Sequence, residues 1–506
     1  MLEKKKDHFL RGKKFSRRKA ITTAGKVAIS AVVAGCIAGA GGYFAGRAAA
    51  PPAGTVTSTV TKPGATVTTT VAGTTITKTE TVAGPTVTET ITKTETIAAP
   101  KKPVTIKVNW WPGPESDAIA KIIERWNKYL APETGINAEL VLFGRDVHAD
   151  KITSMLLAGS PELDIVFEFY LVGKLAPYLE PLDDYFANES LYPYTLTDFY
   201  PAGLKAFTVN DKLYGIPTDV SVHVLIYRKD LIPKPPETID EMVEMAKKFT
   251  KKYNPDSPTE YGYIVSGKRL LFNAMLWESL MASAGGTPFE VGKELEAVEN
   301  LTSPAAKKAL QVYTDFIRDG ISPPDSITYE YMEANAAFQA EKAPMYIQWN
   351  AAIGELRDKE KSPRVWDKVG IAPIPGVKLS DGTVLHRSRT HYLGFSINKA
   401  SEHKVEAFKF LAYLTTTRAM LDYLKYGGFP PNRAVWVNPE AQAVRTELPE
   451  LMPIMDKYAY AATTHPEVFT IYDILAKHLS AAWSGEVGVD EALEAAQKEL
   501  RELLAK

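Results

Sequence analysis

From residue 104 onward the apolar residues repeat first every second position, then every three or four, and then every second again. No other feature of the chain restricts its fold so much. Residues 104–109 alternate as a strand, and residues 116–129 form a helix with Ile119, Ile122, Ile123 and Trp126 on one face. A second strand is predicted at 138–142, a helix at 151–158 and a third strand at 164–168. This order implies a mostly parallel sheet whose ligand chemistry lies at the carboxyl ends of its strands. Trp110-Trp111 and Phe167-Glu168-Phe169-Tyr170 occupy two such ends. Amphipathic helices follow at 239–251, behind Pro235-Pro236, and at 304–318.

The segment before this body cannot build a core of the same kind. Residues 55–96 hold nineteen threonines, no aromatic residue and two copies of Ile-Thr-Lys-Thr-Glu-Thr, at 76–81 and 91–96. With so little to bury, 51–102 reads as an extended, O-glycosylated stalk. Forty residues fully stretched reach about 130–150 Å.

Residues 1–50 read as a signal or anchor. A basic stretch through Lys19 precedes twenty uncharged residues, 27–46, close to the length needed to cross a bilayer. The basic flank is expected to stay in the cytoplasm and everything after Arg47 to lie outside. Ser16-Arg17-Arg18-Lys19-Ala20-Ile21 resembles a twin-arginine export signal, and Val33-Ala34-Gly35-Cys36 a lipobox with Cys36 as the lipidated residue. The expectation is a protein on the outer face of the cell membrane, held by a helix or a lipid; the competing outcome is cleavage near 48–50 and release. Eleven basic residues against two acidic ones in 1–50 leave the remainder at −10 of a net −1, which argues against nucleic-acid binding. With one cysteine there is no internal disulfide and no cysteine metal site. Asn188 and Asn300 open N-glycosylation sequons.

"LYGIPTDVSVHVLIYRKDLIPKPPETIDEMVEMAKKFT", residues 213–250, resembles the signature of the family 1 extracellular solute-binding proteins of ATP-binding-cassette importers, the group that includes maltose- and trehalose-binding proteins. Three further blocks resemble the family in order: "AFQAEKAPMYIQWN" (337–350), "VGIAPIPG" to "GFSINKASEHKVEAFKFLAYLT" (369–415) and "LSAAWSGEVGVDEALEAAQKELRELL" (479–504). In the first of them Glu341-Lys342-Ala343-Pro344 stands where Gly-Lys-Ala-Ala is common, and Pro344 is expected to sharpen the turn. The resemblance covers about 103 to the end. It implies an α/β, bilobal periplasmic-binding-protein-like fold of type II, two doubly wound lobes joined by a multi-crossing hinge that closes on ligand. The expected lobes are 103–219 with 394–426, and 222–390 with 434–504, the crossings falling near Asp219, Tyr392 and Phe429.

Sugar sites need flat rings for stacking and carboxylates or amides for paired hydroxyls. The candidates are Trp110, Trp111, Glu168, Tyr170, Asp219, Trp277, Trp349, Asn350, Tyr392, Phe429 and Arg433. Trp349 and Asn350, which end the "MYIQWN" strand, match the family's pocket tryptophan. Trp126 and Trp483, on amphipathic helices, are assigned to the core.

Catalysis finds no support: there is no G-x-S-x-G, H-E-x-x-H or phosphate-loop motif, and Asp183-Asp184 opens a helix. The function implied is capture of a sugar, a di- or oligosaccharide, by a monomer that needs no cofactor or metal and delivers its ligand to permease subunits. Two alternatives remain. One is a binding protein for oligopeptides or other non-sugar solutes, with Asp219 and Arg433 on the peptide termini; the other is a tethered sensor or surface domain.

Overall fold

The computed structural model describes strands within 56–96 and residues 103–505 apart from 145 and 146. The candidates in 1–50, Cys36 among them, lie outside the described residues. The chain divides into two units, at residues 101 and 102.

In the first unit the backbone forms strands β1 (Val56–Lys62), β2 (Ala65–Ala72), β3 (Thr75–Ala83) and β4 (Thr88–Thr96), paired in sequence as an antiparallel meander. This corrects the expectation of an unpaired string. Alternating threonine and β-branched aliphatic residues favour strands, and Pro63-Gly64, Gly73 and Gly84-Pro85 punctuate them with turn residues. The register sets threonine opposite threonine, as in Thr77↔Thr94 and Thr79↔Thr92.

The second unit holds an eight-stranded mixed sheet. Its first three strands are β5 (Val104–Trp110), β6 (Ile136–Leu142) and β7 (Ile165–Phe169), all parallel, with helices α1 (Pro114–Tyr129) and α2 (His148–Leu157) as the crossovers. On α1, Ile119, Ile122, Ile123 and Trp126 are buried, and the Trp126 indole N–H donates to Ile136 O at 2.8 Å.

Strand β8 (Gly215–Arg228) runs for fourteen residues and is nearly all buried. Helices α3 (Ile239–Lys248), α4 (Leu271–Ser283) and α5 (Pro304–Arg318) follow, then strands β9 (Met345–Trp349), β10 (Val369–Ala372) and β11 (Ser388–Ile397). After these come α6 (Lys404–Leu414), α7 (Thr417–Lys425), the short strand β12 (Ala459–Ala461) and the closing helices α8 (Val468–Trp483) and α9 (Val489–Leu504).

The sheet order is β9-β8-β11-β7-β5-β6, with β10 added to β8 and β12 to β11. Strand β8 changes partner along its length. Gly215 to Val222 pair with β11, whereas His223 to Arg228 pair with β9 and β10. Strand β11 behaves alike, with Ser388–Thr390 on β12 and Leu393–Ile397 on β7. Gly394 sits where strands and ring crowd together: an added Cβ would lie 2.3 Å from Ile216 O and 2.5 Å from the Phe207 ring. Helix α6 packs on β5 and α7 on α1, while α8 packs on α4, α5 and α9. Residues 431–433 bond back to Asp198 and Tyr200, from 3.1 Å (Tyr200 N to Pro431 O) to 2.7 Å (Arg433 N to Asp198 O).

The turn before β9 departs from expectation in its cause. Glu341, not Pro344, carries it, with φ 60° in the left-handed region that glycine fills without strain. Its carboxylate is held by Arg228 at 3.0 Å and Lys368 at 3.3 Å. Glu341→Ala and Glu341→Gly lose the same ion pairs, so they isolate the backbone term. The alanine variant is expected to be less stable than the glycine variant by about 1–2 kcal/mol in denaturant titrations.

Candidate ligand-binding site

The carboxyl ends of β5 and β7 meet the partner-switching stretches of β8 and β11, and this is where most of the sequence candidates gather. A small cavity there is lined by Glu168, Tyr170, Val172, Ala206, Phe207, His391, Tyr392, Ala462 and Thr464. Three candidates, Glu168, Tyr170 and Tyr392, share it.

Glu168 is buried and neither carboxyl oxygen has a hydrogen-bond partner. Burial alone pushes its pKa up to about 8. Beside it, His391 is half-buried, with its Nδ1 buried and unpartnered, and desolvation followed by the Arg389 charge lowers its pKa to about 3. Tyr170 holds φ 61°, rare for an aromatic residue. Its ring lies 4.5 Å from Phe169 and 5.6 Å from His391, and its hydroxyl accepts from Arg389 Nη1 at 2.6 Å.

Arg389 and Glu278 are wholly buried and pair at 3.5 Å. Glu278 also accepts from the hydroxyls of Tyr460, at 2.9 Å, and Tyr472. Arg389 lies 5.3 Å from the Tyr170 ring centroid and 5.1 Å from that of Tyr472. One buried ionic cluster therefore ties α4, β11, β12 and α8 to the residue after β7.

A second cluster surrounds Trp349, which is 8 % exposed, with an unpartnered indole N–H. His223, Tyr331 and Phe272 contact its ring at centroid distances of 5.3, 5.7 and 6.0 Å. His223 Nδ1 meets Ser279 Oγ at 2.8 Å. Burial, then the charges of Arg389 and His391, hold this histidine well below its usual range. Through these charges the two clusters sense each other.

The other candidates divide by role. Trp110 is fully buried and stacks on Phe167 at 4.0 Å, with Phe395 at 4.9 Å; it belongs to the core because its strand end faces the packed layer. Trp111 is buried too, with its ring against His148, Phe167 and Phe169. Trp277 sits in α4, which is buried on every side, and is packing. Asp219 Oδ2 accepts from Phe429 N at 2.6 Å and Tyr423 Oη at 3.0 Å, so it clamps two crossings together. Burial, then the Glu115 charge, raises its pKa well above the usual carboxylate range. Asn350 Oδ1 takes the Val222 N–H at 2.8 Å, across the point where β8 changes partner. Phe429 is buried beneath the Arg445 guanidinium, 4.7 Å from its ring centroid. Arg433 is at the surface, paired with Asp456 at 3.2 Å, which withdraws it from the cavity. Trp126 and Trp483 are core, as expected, and Asp183 lies in the first turn of a short helix while accepting from Leu213 N at 3.1 Å.

Sequence reasoning missed four residues. Glu115, in the first turn of α1, has a buried unpartnered Oε2 and acts electrostatically on Asp219, Tyr331 and Tyr423. Its signal was an acid directly after Trp-Trp-Pro-Gly-Pro. Glu278 and Arg389 were visible as single charges inside "LFNAMLWESLMAS" and "SRTHYLGFSI", and His223 as the one histidine inside "VSVHVLIY". Among the described residues no group of acidic, histidine or cysteine side chains forms a metal cluster, and no helix is long and apolar enough to cross a membrane.

A mixed sheet whose long strand β8 changes partners midway, with buried polar groups and rings around the changeover, is the frame of a ligand-capturing protein of the two-lobed type. Residues 112–421 match the profile of the bacterial extracellular solute-binding protein family, and the chain belongs to that family. It is 28 % identical over 276 residues to the multiple sugar-binding protein of Streptococcus mutans, covering 52 % of this chain and 57 % of that one. It is 24 % identical over 382 residues to the mannitol-binding protein of Pseudomonas aeruginosa, covering 71 % and 84 %. Maltose-bound MalE3 of T. maritima superposes with TM-score 0.64 at 24 % identity, over 79 % of this chain and all of that one. The sugar-binding protein MalE of Xanthomonas citri gives 0.66 at 20 % identity, over 79 % and 97 %. The fold is thus the type II bilobal one that the sequence implied.

Two outcomes follow from the buried charges. Glu278→Gln strands Arg389 and is expected to cost about 3–5 kcal/mol in denaturant titration, whereas Glu278→Met with Arg389→Met loses less, since no lone charge stays buried. For Glu168 the folded pKa lies above the unfolded one, so its contribution is full at low pH and fades as pH rises from about 4.5 to about 8. Glu168→Gln should therefore gain stability relative to the native chain between pH 5 and pH 9, measured as a widening difference in melting temperature.

Proposed function

We propose that this protein captures a carbohydrate outside the cell by closure of its two lobes and passes it to the permease of an ATP-binding-cassette importer. The lobes are drawn as 103–219 with 394–426 and 222–390 with 434–504. One observation carries the reading: aromatic rings flank buried polar groups that have no internal partner, namely the Glu168 carboxyl, the Trp349 N–H and His391 Nδ1. Rings match the apolar faces of a sugar, and stranded donors and acceptors match its hydroxyls. Relatives named for sugars and a polyol support the same ligand class.

Closure changes the relative position of two sets of strands that share β8, so the motion is expected at Val222/His223, where its partners change. Ligand shifts the equilibrium only by its preference for the closed form. The permease then reads a closed, loaded shape. The protein works as a monomer without catalysis. Residues 1–50 hold it at the outer membrane face, by a helix or through a lipid on Cys36. Asn188 and Asn300 are exposed, in keeping with glycan attachment.

The test is calorimetry with mono- and disaccharides on the native chain and on Trp349→Ala. Loss of a stacked, desolvated tryptophan costs about 2–4 kcal/mol, so affinity is expected to fall by about 30-fold to 1,000-fold with the melting temperature little changed. Unchanged sugar affinity with a collapsed melting temperature would assign Trp349 to the core and refute this site.

A further inference from the structure

The cavity beside β7 and β11 has walls of two kinds. Tyr170, Phe207 and Tyr392 contribute rings, and Val172, Ala206 and Ala462 contribute aliphatic surface. Its ionisable groups of interest are Glu168 and His391. Both Glu168 oxygens are buried and unbonded, and no basic side chain contributes to its environment. His391 adds an unpartnered ring nitrogen. A buried carboxyl with no partner is costly, and a fold that keeps one offers it to a ligand.

The basic group in this region is already engaged. Arg389 lies behind Tyr170, donating to its hydroxyl at 2.6 Å and pairing with Glu278 at 3.5 Å. That pair is neutral as a unit, so Glu168 has no counter-charge of its own. A sugar hydroxyl brings one donor and no charge. An ammonium brings a counter-charge and three N–H donors to a site that offers two carboxylate oxygens and His391 Nδ1, and its charge suits the faces of Tyr170 and Tyr392.

Resting on the carbohydrate reading above, we propose that this cavity is a subsite for a primary ammonium group, so that the captured solute is an amino sugar. Discrimination follows from the Glu168 carboxyl, which burial without a partner biases toward its neutral form and which a cation filling the cavity would hold as the carboxylate.

The experiment is calorimetry at one fixed pH on the full chain with four probes: the β-1,4-linked glucosamine disaccharide, its di-N-acetyl form, cellobiose and 1,4-diaminobutane. The free-amine disaccharide is expected to bind at least about tenfold tighter than the two neutral sugars. Glu168→Gln, equal in shape and without charge, should abolish that preference, weakening the free-amine disaccharide at least about tenfold more than it weakens cellobiose. The variant's melting curve checks that it is folded. Cellobiose binding as tightly as the amine, or Glu168→Gln weakening both sugars equally, overturns the ammonium subsite and leaves carbohydrate capture standing. Binding of 1,4-diaminobutane with no sugar bound supports the subsite and overturns carbohydrate capture. If none of the four binds, both fail.

Discussion

Strand β8 must satisfy two sheets at once, and the rest of the second unit is arranged around that demand. A strand has two edges of backbone donors and acceptors, and buried ones need partners throughout. Over Gly215–Val222 one edge is met by β11, and over His223–Arg228 by β9 and β10. At the changeover neither set of strands is continuous, and side chains take over the work. Asn350 accepts the Val222 N–H, and Asp219 takes Phe429 N–H and the Tyr423 hydroxyl. A seam of this kind leaves room between strand ends, and ligand-facing groups collect in it for that reason.

The electrostatics of the seam are expensive. Glu115, Glu168, Asp219 and Glu278 lie around it, with Arg389 wholly buried and Arg445 acting on Asp219. Tyr170 adds a backbone conformation that costs roughly 1–3 kcal/mol. None of this follows from packing, because apolar residues of equal volume serve stability as well or better. The Arg389–Glu278–Tyr cluster is well suited to fixing where Tyr170 points, and Tyr170 forms one wall of the cavity.

Periodicity made the strands and helices legible, since 2-residue and 3.6-residue repeats report directly on sheet and helix faces; β5, α1 and α5 fell within two residues of expectation. The expected crossings rest on each return strand being followed by a helix that has to rejoin a sheet. Side-chain destination was harder. Trp110 and Trp111 follow one another at a strand end, and only the three-dimensional stacking on Phe167 assigns the first to the core. Arg433 lay beside a crossing in sequence, yet a single turn of helix carries it to Asp456 at the surface. The threonine segment was misjudged because burial was weighed above strand propensity. Backbone pairing between like strands needs no apolar core at its edges to define a register.

That pairing alters a distance. A meander with an even number of strands begins and ends on the same side of its sheet, so the ends of β1 and β4 that lead outward are separated by three inter-strand spacings, about 15 Å. An unpaired chain of this length can wander through a sphere almost ten times wider. Paired in this way, the segment is a short spacer instead of a long leash. The volume open to whatever follows shrinks by roughly two to three orders of magnitude relative to the extended chain.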